Sequence, residues 1–227
     1  MTYNKDEILK LLEDAPLTES DIFYDEYNEN FMETMGADFS KKFTYSYGAT
    51  KFVLIPNDEN ENFVIKIPYT GSSGYDSNYY YNDAATYIDY WSAGTEDREW
   101  DYCEAEVIRY QQAAEYGLEK CLAKTEFVGF INGYPIYVQE RCKVFSCNEN
   151  KHSMEELKTT IDICNLWYYN SSIDGNWLTD FRIYYGEETL KKFIDFISSN
   201  DWNDLRSDNI GYINNKPVLV DYSGFYD

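Results

Sequence analysis

The stretch DWNDLRSDNIGYINNKPVLVDYSGFYD, residues 201–227, carries acidic residues and an asparagine at suggestive spacing. Asn209 is the fifth residue after Asp204, and Asp221 is the twelfth residue after Asn209. The apolar run in KPVLVDY predicts a strand that leads into Asp221, and the residues before it predict a loop. A carboxylate is a hard oxygen ligand that suits a hard cation, so Asp221 is a candidate metal ligand. What such a metal would serve depends on the rest of the chain.

The composition is that of a globular protein with a strong negative charge. The 227 residues are enough for one large domain or two small ones, and 44% of them are hydrophobic. A formal charge of −22 argues against direct binding to nucleic-acid backbones or anionic membranes. It fits a protein that meets a basic protein partner, or one that needs Mg²⁺ to approach a nucleotide.

Several features of the sequence favour a cytoplasmic protein. No run of about 18 apolar residues predicts a membrane span, and the first residues lack the basic and apolar regions of a secretory signal. The five cysteines form no C-x-x-C pair, which favours reduced thiols over disulfides or zinc ligands. The single histidine, His152, gives little support for a Ser-His-Asp or Cys-His mechanism.

The first hundred residues predict an acidic arm followed by a β-rich region. Residues 1–40 hold 11 acidic and two basic residues, which indicates a solvated, partly extended arm with a short helix at 5–14. The runs 41–56 and 62–69 are separated by NDENEN and predict a β-hairpin. Residues 70–100 are rich in Gly, Ser, Asn and Tyr, and they predict an insertion.

The remaining elements are a helix, a second hairpin and a helical region. Residues 101–116 predict a helix that ends at Gly117. Asn132-Gly133 is a strong hairpin signal between two β-rich runs. The segment EETLKKFIDFISSN, residues 187–200, predicts an amphipathic helix. This order predicts an α+β fold in which a β-rich part precedes a helical one.

Four motifs resemble those of the protein-kinase-like superfamily, and they occur in the order found in that superfamily. FVIKI around Lys66 resembles the V-A-I-K strand, and CEAEVI places Glu104 like the ion-pairing Glu of the next helix. Asp204 and Asn209 have the D-x-x-x-x-N spacing of the catalytic loop, and DYSG from Asp221 stands where D-F-G follows. The chain looks like a compact bacterial or phage member, close to the DLHxxN style of aminoglycoside and choline kinases.

The resemblance implies a two-lobed minimal kinase-like fold. Residues 1–40 would be an acidic helical arm, and residues 41–140 would be a β-rich nucleotide-binding lobe that contains the 70–100 insertion. Residues 141–227 would be a reduced helical lobe with the catalytic loop and the metal-binding strand. The family's activation segment and later substrate-binding helices are expected to be missing after DYSG.

The resemblance also implies ATP and Mg²⁺ as cofactors. Lys66 would hold the α- and β-phosphates and would be positioned by Glu104, with Glu106 as a competitor for that role. Asn209 and Asp221 would coordinate Mg²⁺.

Four further residues complete the site that the resemblance implies. Asp204 would orient the acceptor hydroxyl and receive its proton, and Arg206 would touch the γ-phosphate. Gly48 would cover the phosphates, and Glu140 would contact the nucleotide from the hinge stretch YPIYVQERC.

Each motif also has an ordinary structural explanation. Lys66 is equally well explained as an exposed lysine at a sheet edge, and Glu104 as part of a solvated helix face. Asp204 and Asn209 are common caps of turn backbone, and Asp221 is an ordinary residue between a strand and a turn. The sequence also departs from the family pattern, since Gly48 replaces a complete G-x-G-x-x-G loop and Trp-Asn replaces the usual His-Arg before Asp204.

Three functions remain open at this stage. The first is an ATP- and Mg²⁺-dependent phosphotransferase acting on a hydroxyl acceptor, with a protein as the expected substrate. The second is a catalytically inactive kinase-like protein that works by contact with a protein partner, through the Tyr-rich insertion or the acidic surface. The third is an acidic inhibitor that mimics DNA. None of these requires direct nucleic-acid or membrane binding.

Overall fold

The structure is a computed structural model that describes residues 3–15, 17, 31–47, 51–68, 102–144, 175–199 and 209–222. Helices and strands both contribute, so the predicted α+β class is confirmed. A β-rich sheet and several helices are consistent with a two-lobed kinase-like fold. None of the helices in the described ranges is long and apolar enough to cross a membrane.

The chain divides into two compact units. The first unit comprises Met1–Ala105, Thr125–Glu140 and Asp227, and the second comprises Glu106–Lys124 and Arg141–Tyr226. The segment Glu106–Lys124, which the resemblance places in the lobe of residues 41–140, belongs to the second unit. The predicted division of the chain at residues 40 and 140 stays a prediction.

The first unit is built on a five-stranded antiparallel sheet with the order β1-β2-β3-β5-β4. The strands are β1 (Phe43–Tyr47), β2 (Lys51–Pro56), β3 (Phe63–Pro68), β4 (Thr125–Ile131) and β5 (Tyr134–Glu140). The predicted pairing of the run 41–56 with 62–69 is confirmed for β2 and β3. The prediction that 41–56 is one arm of a hairpin is wrong, because β1 and β2 pair with each other, with Phe43 opposite Pro56. The β-rich composition continues through both strands and does not mark the reversal.

The turn between β4 and β5 is the one that Asn132-Gly133 predicts. Both residues have positive φ angles, 52° and 88°. A two-residue turn of type I′ needs positive φ at both positions, and Asn followed by Gly adopts it with little strain. The predicted hairpin is confirmed.

One face of this sheet packs against the N-terminal segment. Helix α1 (Lys5–Leu11) is capped by the Asn4 side chain, which accepts a hydrogen bond from the Asp6 N–H. Residues 31–35 and α2 (Ala37–Ser40) are also helical. These elements and the sheet share a buried apolar core, whose larger members include Ile8, Leu12, Phe31, Phe39, Phe52, Leu54, Phe63, Ile65, Ile67, Ile136 and Val138. The expectation of a solvated arm is therefore wrong for the described residues of 1–40, because their apolar side chains fill this core.

The second unit combines helices with a small sheet. Its elements are most of α3 (Tyr102–Glu115), a 3-10 turn (Glu119–Cys121), β6 (Lys143–Val144), α4 (Gly175–Tyr185), α5 (Glu187–Ser199), β7 (Ile210–Ile213) and β8 (Lys216–Leu219). Helix α3 is followed by Gly117 at φ 70°, as predicted. Helix α5 buries the predicted apolar face, formed by Leu190, Phe193, Ile194 and Ile197.

Aromatic packing links the helices of the second unit to its sheet. The rings of Phe181 and Phe193 are stacked 4.8 Å apart, and Trp177 lies 5.2 Å from Phe181. The indole N–H of Trp177 donates a 3.0 Å hydrogen bond to the carbonyl of Gly211 on β7. The position of β7 is therefore fixed by the helical core.

Candidate functional site

Asn209 and Asp221 lie at the same end of one β-hairpin in the second unit. Strands β7 and β8 pair with Ile210 opposite Leu219. The N–H of Val220 donates a 2.7 Å hydrogen bond to the carbonyl of Asn209, which extends the pairing one position beyond the strands. Asn209 is therefore opposite the residue that immediately precedes Asp221. Asn209 and Asp221, which are twelve residues apart in the sequence, are therefore close along the backbone at the open end of the hairpin.

The first strand of this hairpin, β7, lies where the residues before KPVLVDY predict a loop, so that prediction is wrong for Ile210–Ile213. The overlooked signal is Asn214-Asn215, whose φ angles are 50° and 65°. Asn tolerates positive φ better than most residues, so two in succession permit a type I′ turn. The short strand β6 was not predicted either, and it pairs with β7, with Val144 opposite Gly211.

The backbone around Asp221 is held on both sides. Before it, the Leu219 carbonyl accepts a 2.8 Å hydrogen bond from the N–H of Ala123. After it, Tyr222 is buried, and its hydroxyl donates to the Ala123 carbonyl over 2.7 Å. The Arg109 guanidinium donates to the Tyr222 carbonyl, also over 2.7 Å. Asn209 is buried and Asp221 is half-buried. Hydrogen bonds thus fix the backbone on both sides of Asp221 at the end of the hairpin.

Lys66 lies in the middle of the first unit's sheet. It is on β3, the third and central strand, opposite Val53 on β2 and Tyr137 on β5. The third strand is where the V-A-I-K lysine belongs in the protein-kinase pattern. Lys66 is only 4% exposed, so the alternative of an exposed lysine at a sheet edge is wrong. Burying an ammonium group is costly unless an anion or polar groups compensate it.

The face of the sheet that carries Lys66 holds further buried polar groups. Gln139 on β5 is fully buried, and its amide donates a 2.8 Å hydrogen bond to the Thr125 hydroxyl on β4. Gln139 is opposite Val64, which shares a face with Lys66 because alternate residues of a strand point the same way. The sheet thus has one apolar face and one face with buried polar side chains.

The acidic candidates on helix α3 differ sharply in burial. Glu104 is exposed, whereas Glu106 is fully buried. Residues two apart on a helix do not face each other, so Glu104 and Glu106 lie on different faces of α3. Glu140 ends β5, opposite Phe63, and is half-buried. The sequence alone did not distinguish Glu104 from Glu106.

Three predicted site residues, Gly48, Asp204 and Arg206, lie outside the described residues, as does the 70–100 insertion. Within the described part of the chain, no group of three or more His, Cys, Asp or Glu side chains could hold a metal ion. Within those ranges, the side chains available to a metal at the hairpin end are those of Asn209 and Asp221, and other oxygens would complete its shell. Mg²⁺ accepts that arrangement, because it commonly keeps several waters and binds phosphate oxygens.

Comparison with known proteins gives little further information about this chain. No family model matches it, and no curated protein matches it. Among solved structures, it is similar to the ternary complex of streptomycin, ATP and APH(2″)-IIa, with 14% sequence identity and a TM-score of 0.27. The likeness covers 82% of this chain and 68% of that chain. A TM-score this low does not establish a common fold, so the functional conclusion rests on the chain's own residues.

Proposed function

We propose that this protein is an ATP- and Mg²⁺-dependent phosphotransferase of a minimal kinase-like type, which transfers the γ-phosphate to the hydroxyl of a protein acceptor. The observation that carries the proposal is the hairpin in which Val220 pairs with Asn209. It brings together the two residues that the kinase-like motifs assign to the metal. The burial of Lys66 on the third strand supports the same assignment.

The proposed metal ligands are the side-chain oxygens of Asn209 and Asp221. Bound Mg²⁺ supplies charge neutralisation of the ATP phosphates. The fixed backbone on both sides of Asp221 orients its carboxylate in advance, which lowers the cost of ordering the site when the nucleotide binds. An amide beside a carboxylate adds a neutral oxygen ligand without adding a second negative charge near the phosphates.

The remaining roles follow from the sequence motifs. Lys66 would hold the α- and β-phosphates with its ammonium group, and Asp204 would orient the acceptor hydroxyl and take up its proton. Arg206 would contact the γ-phosphate as a charged hydrogen-bond donor. Gly48 would allow the backbone to approach the phosphates closely, and Glu140 would contact the nucleotide.

Two measurements test the proposed function. Mg²⁺-ATP at millimolar concentration should raise the thermal unfolding midpoint, because a ligand that binds only the folded state stabilises it. Release or transfer of the γ-phosphate should then be lost in Asp204→Ala and Asp221→Ala and kept in Asp195→Ala, whose side chain is exposed on α5. A wild-type protein with no thermal shift and no phosphate transfer would rule out the enzyme.

The formal charge of −22 favours a second candidate, a nucleotide-binding kinase-like protein that acts in the cytoplasm through a basic protein partner. This candidate predicts the same thermal shift with Mg²⁺-ATP but no γ-phosphate transfer by the wild type. An acidic inhibitor that mimics DNA predicts no thermal shift with Mg²⁺-ATP and no γ-phosphate transfer. Displacement of DNA from a basic DNA-binding protein at physiological salt would then be its supporting result.

A further inference from the structure

Lys51 and Lys66 lie on the same face of the first unit's sheet. Lys51 on β2 is opposite Pro68 on β3, and Val53 is opposite Lys66. Directly opposite residues of an antiparallel pair share a face, and so do alternate residues of one strand. The two lysines are therefore diagonal neighbours, with their positions roughly 7–8 Å apart.

The lysines are on the face that the N-terminal segment does not fill. The residues that alternate with them, Phe52 on β2 and Ile67 on β3, belong to the apolar core shared with that segment. Lys51 and Lys66 point the other way, together with the hydrogen-bonded pair of Gln139 and Thr125. The alternation of the strands thus separates an apolar face from a polar face.

Both lysines are buried, and each is 4% exposed. Two ammonium groups at this spacing repel each other, and burial removes the water that would weaken the repulsion. A ligand with several negative charges in a row matches the charge of two lysines at this spacing. Both lysines take part in other interactions of the folded chain, so such a ligand would add to those interactions or replace them.

We propose that Lys51 and Lys66 form a two-lysine binding site for a polyphosphate chain. Within the proposed function, which the inference extends, Lys51 is a second phosphate-binding residue and makes the site select nucleoside di- and triphosphates over monophosphates. Lysine suits this role because its ammonium group is a point charge that can follow successive phosphates.

Calorimetric titration with inorganic tripolyphosphate at 0.15 M salt, without metal or nucleoside, tests the site directly. Lys51→Met should weaken binding about ten- to a hundredfold, the range expected for one hydrogen bond to a charged group. Lys51→Arg should retain most of the affinity because it keeps the charge. Lys42→Met removes an exposed lysine just before β1 and should leave binding unchanged. Wild-type protein that does not bind, or Lys51→Met that binds as tightly as wild type, overturns the proposal.

A measurement on the wild-type protein avoids any folding defect of the variants. With ¹³C-labelled lysine, the side-chain signals of Lys51 and Lys66 should shift together as tripolyphosphate is added, while that of Lys42 stays in place. Signals of Lys51 and Lys66 that stay in place at saturating tripolyphosphate overturn the proposal. The two failures can be told apart. If the γ-phosphate is transferred but Lys51→Met has no effect on tripolyphosphate binding, only the two-lysine site is overturned. If tripolyphosphate binds through Lys51 but no γ-phosphate is transferred, only the proposed function is overturned.

Discussion

The Nη1 atom of Arg109 donates a 2.7 Å hydrogen bond to the backbone carbonyl of Tyr222, the residue after the proposed metal ligand Asp221. Arg109 lies on α3, and both partners of this bond are buried. The Arg109 side chain on α3 thus fixes the backbone carbonyl of the residue that follows Asp221.

Replacing Arg109 with Met should lower the free energy of unfolding by about 1.5–3 kcal/mol, because the hydrogen bond has a charged donor and is shielded from water. Urea unfolding measures this loss. Arg182→Met is the matched control, since Arg182 is exposed and pairs with Glu187 at the surface, where an ion pair contributes about 0–1 kcal/mol. Equal losses in the two variants would show that the buried bond adds nothing. A folded Arg109→Met protein should also need more Mg²⁺ to reach the full thermal shift with ATP.

Gly211 on β7 has no room for a side chain. A Cβ atom there would lie 2.4 Å from the Lys143 carbonyl oxygen and 2.6 Å from the Cys142 sulfur. Gly211→Ala should therefore separate β6 from β7 and cost about 1–3 kcal/mol or more of stability. Gly129→Ala is the comparison, because its Cβ would meet the end of the Leu9 side chain at 2.8 Å, and that group can rotate away. The prediction fails if chemical denaturation gives Gly129→Ala the larger loss.

The two glutamates of α3 should respond differently to neutralisation. Glu106→Gln should lower the thermal midpoint and weaken Mg²⁺-ATP binding, because Glu106 is fully buried and takes part in interactions of the folded chain. Glu104→Gln changes an exposed side chain, so its effect on stability should stay within about 0.5 kcal/mol. Thermal unfolding with and without Mg²⁺-ATP compares the two. A larger effect of Glu104→Gln would instead support Glu104 in the role that the sequence resemblance implies.

Burial raises the pKa of the Cys121 thiol from 9.0 to about 12, with Lys120 opposing the shift and Glu119 adding to it. Between about pH 9 and pH 12 the unfolded chain releases this proton while the folded chain keeps it, so stability falls as the pH rises. Within this window, the free energy of unfolding falls by up to about 1.4 kcal/mol per pH unit for one proton. Burial also raises the pKa of Tyr3 and Tyr185, which adds to the loss above pH 10.

Urea unfolding between pH 8 and pH 11 measures that slope. Cys121→Ala should flatten it, whatever its effect on stability at neutral pH, because the variant has no thiol to ionise. An unchanged slope in Cys121→Ala would mean that other groups account for the alkaline instability.

The parts of the fold that local patterns determine could be predicted from the sequence. Asn132-Gly133 encodes its turn through backbone conformation alone, and the buried face of α5 follows from helical periodicity. The hairpin of β7 and β8 was missed because its first strand has four residues and its turn uses Asn-Asn instead of Asn-Gly. The interior position of Asn209 was for this reason not foreseen.

The burial of the candidate site residues could not be predicted from the sequence. A lysine between two isoleucines looks the same on an edge strand and on a central strand, and only the pairing of β3 with β2 and β5 decides the matter for Lys66. The burial of Lys51 is not visible in the sequence for the same reason. The choice between Glu104 and Glu106 depends on which side of α3 is covered, which is set by tertiary packing and not by α3 itself.

The packing of the N-terminal segment on the sheet has a practical consequence for anyone who shortens the protein. A version that begins at residue 41 would keep every proposed site residue. Removing residues 1–40 would also look harmless, because their acidic composition suggests a solvated segment. It would also strip Ile8, Leu12, Phe31 and Phe39 from the core and leave the side chains of Phe52 and Ile65 facing water. A bare apolar sheet face of that kind promotes aggregation, so we expect the acidic segment to be needed to keep the rest of the chain in solution.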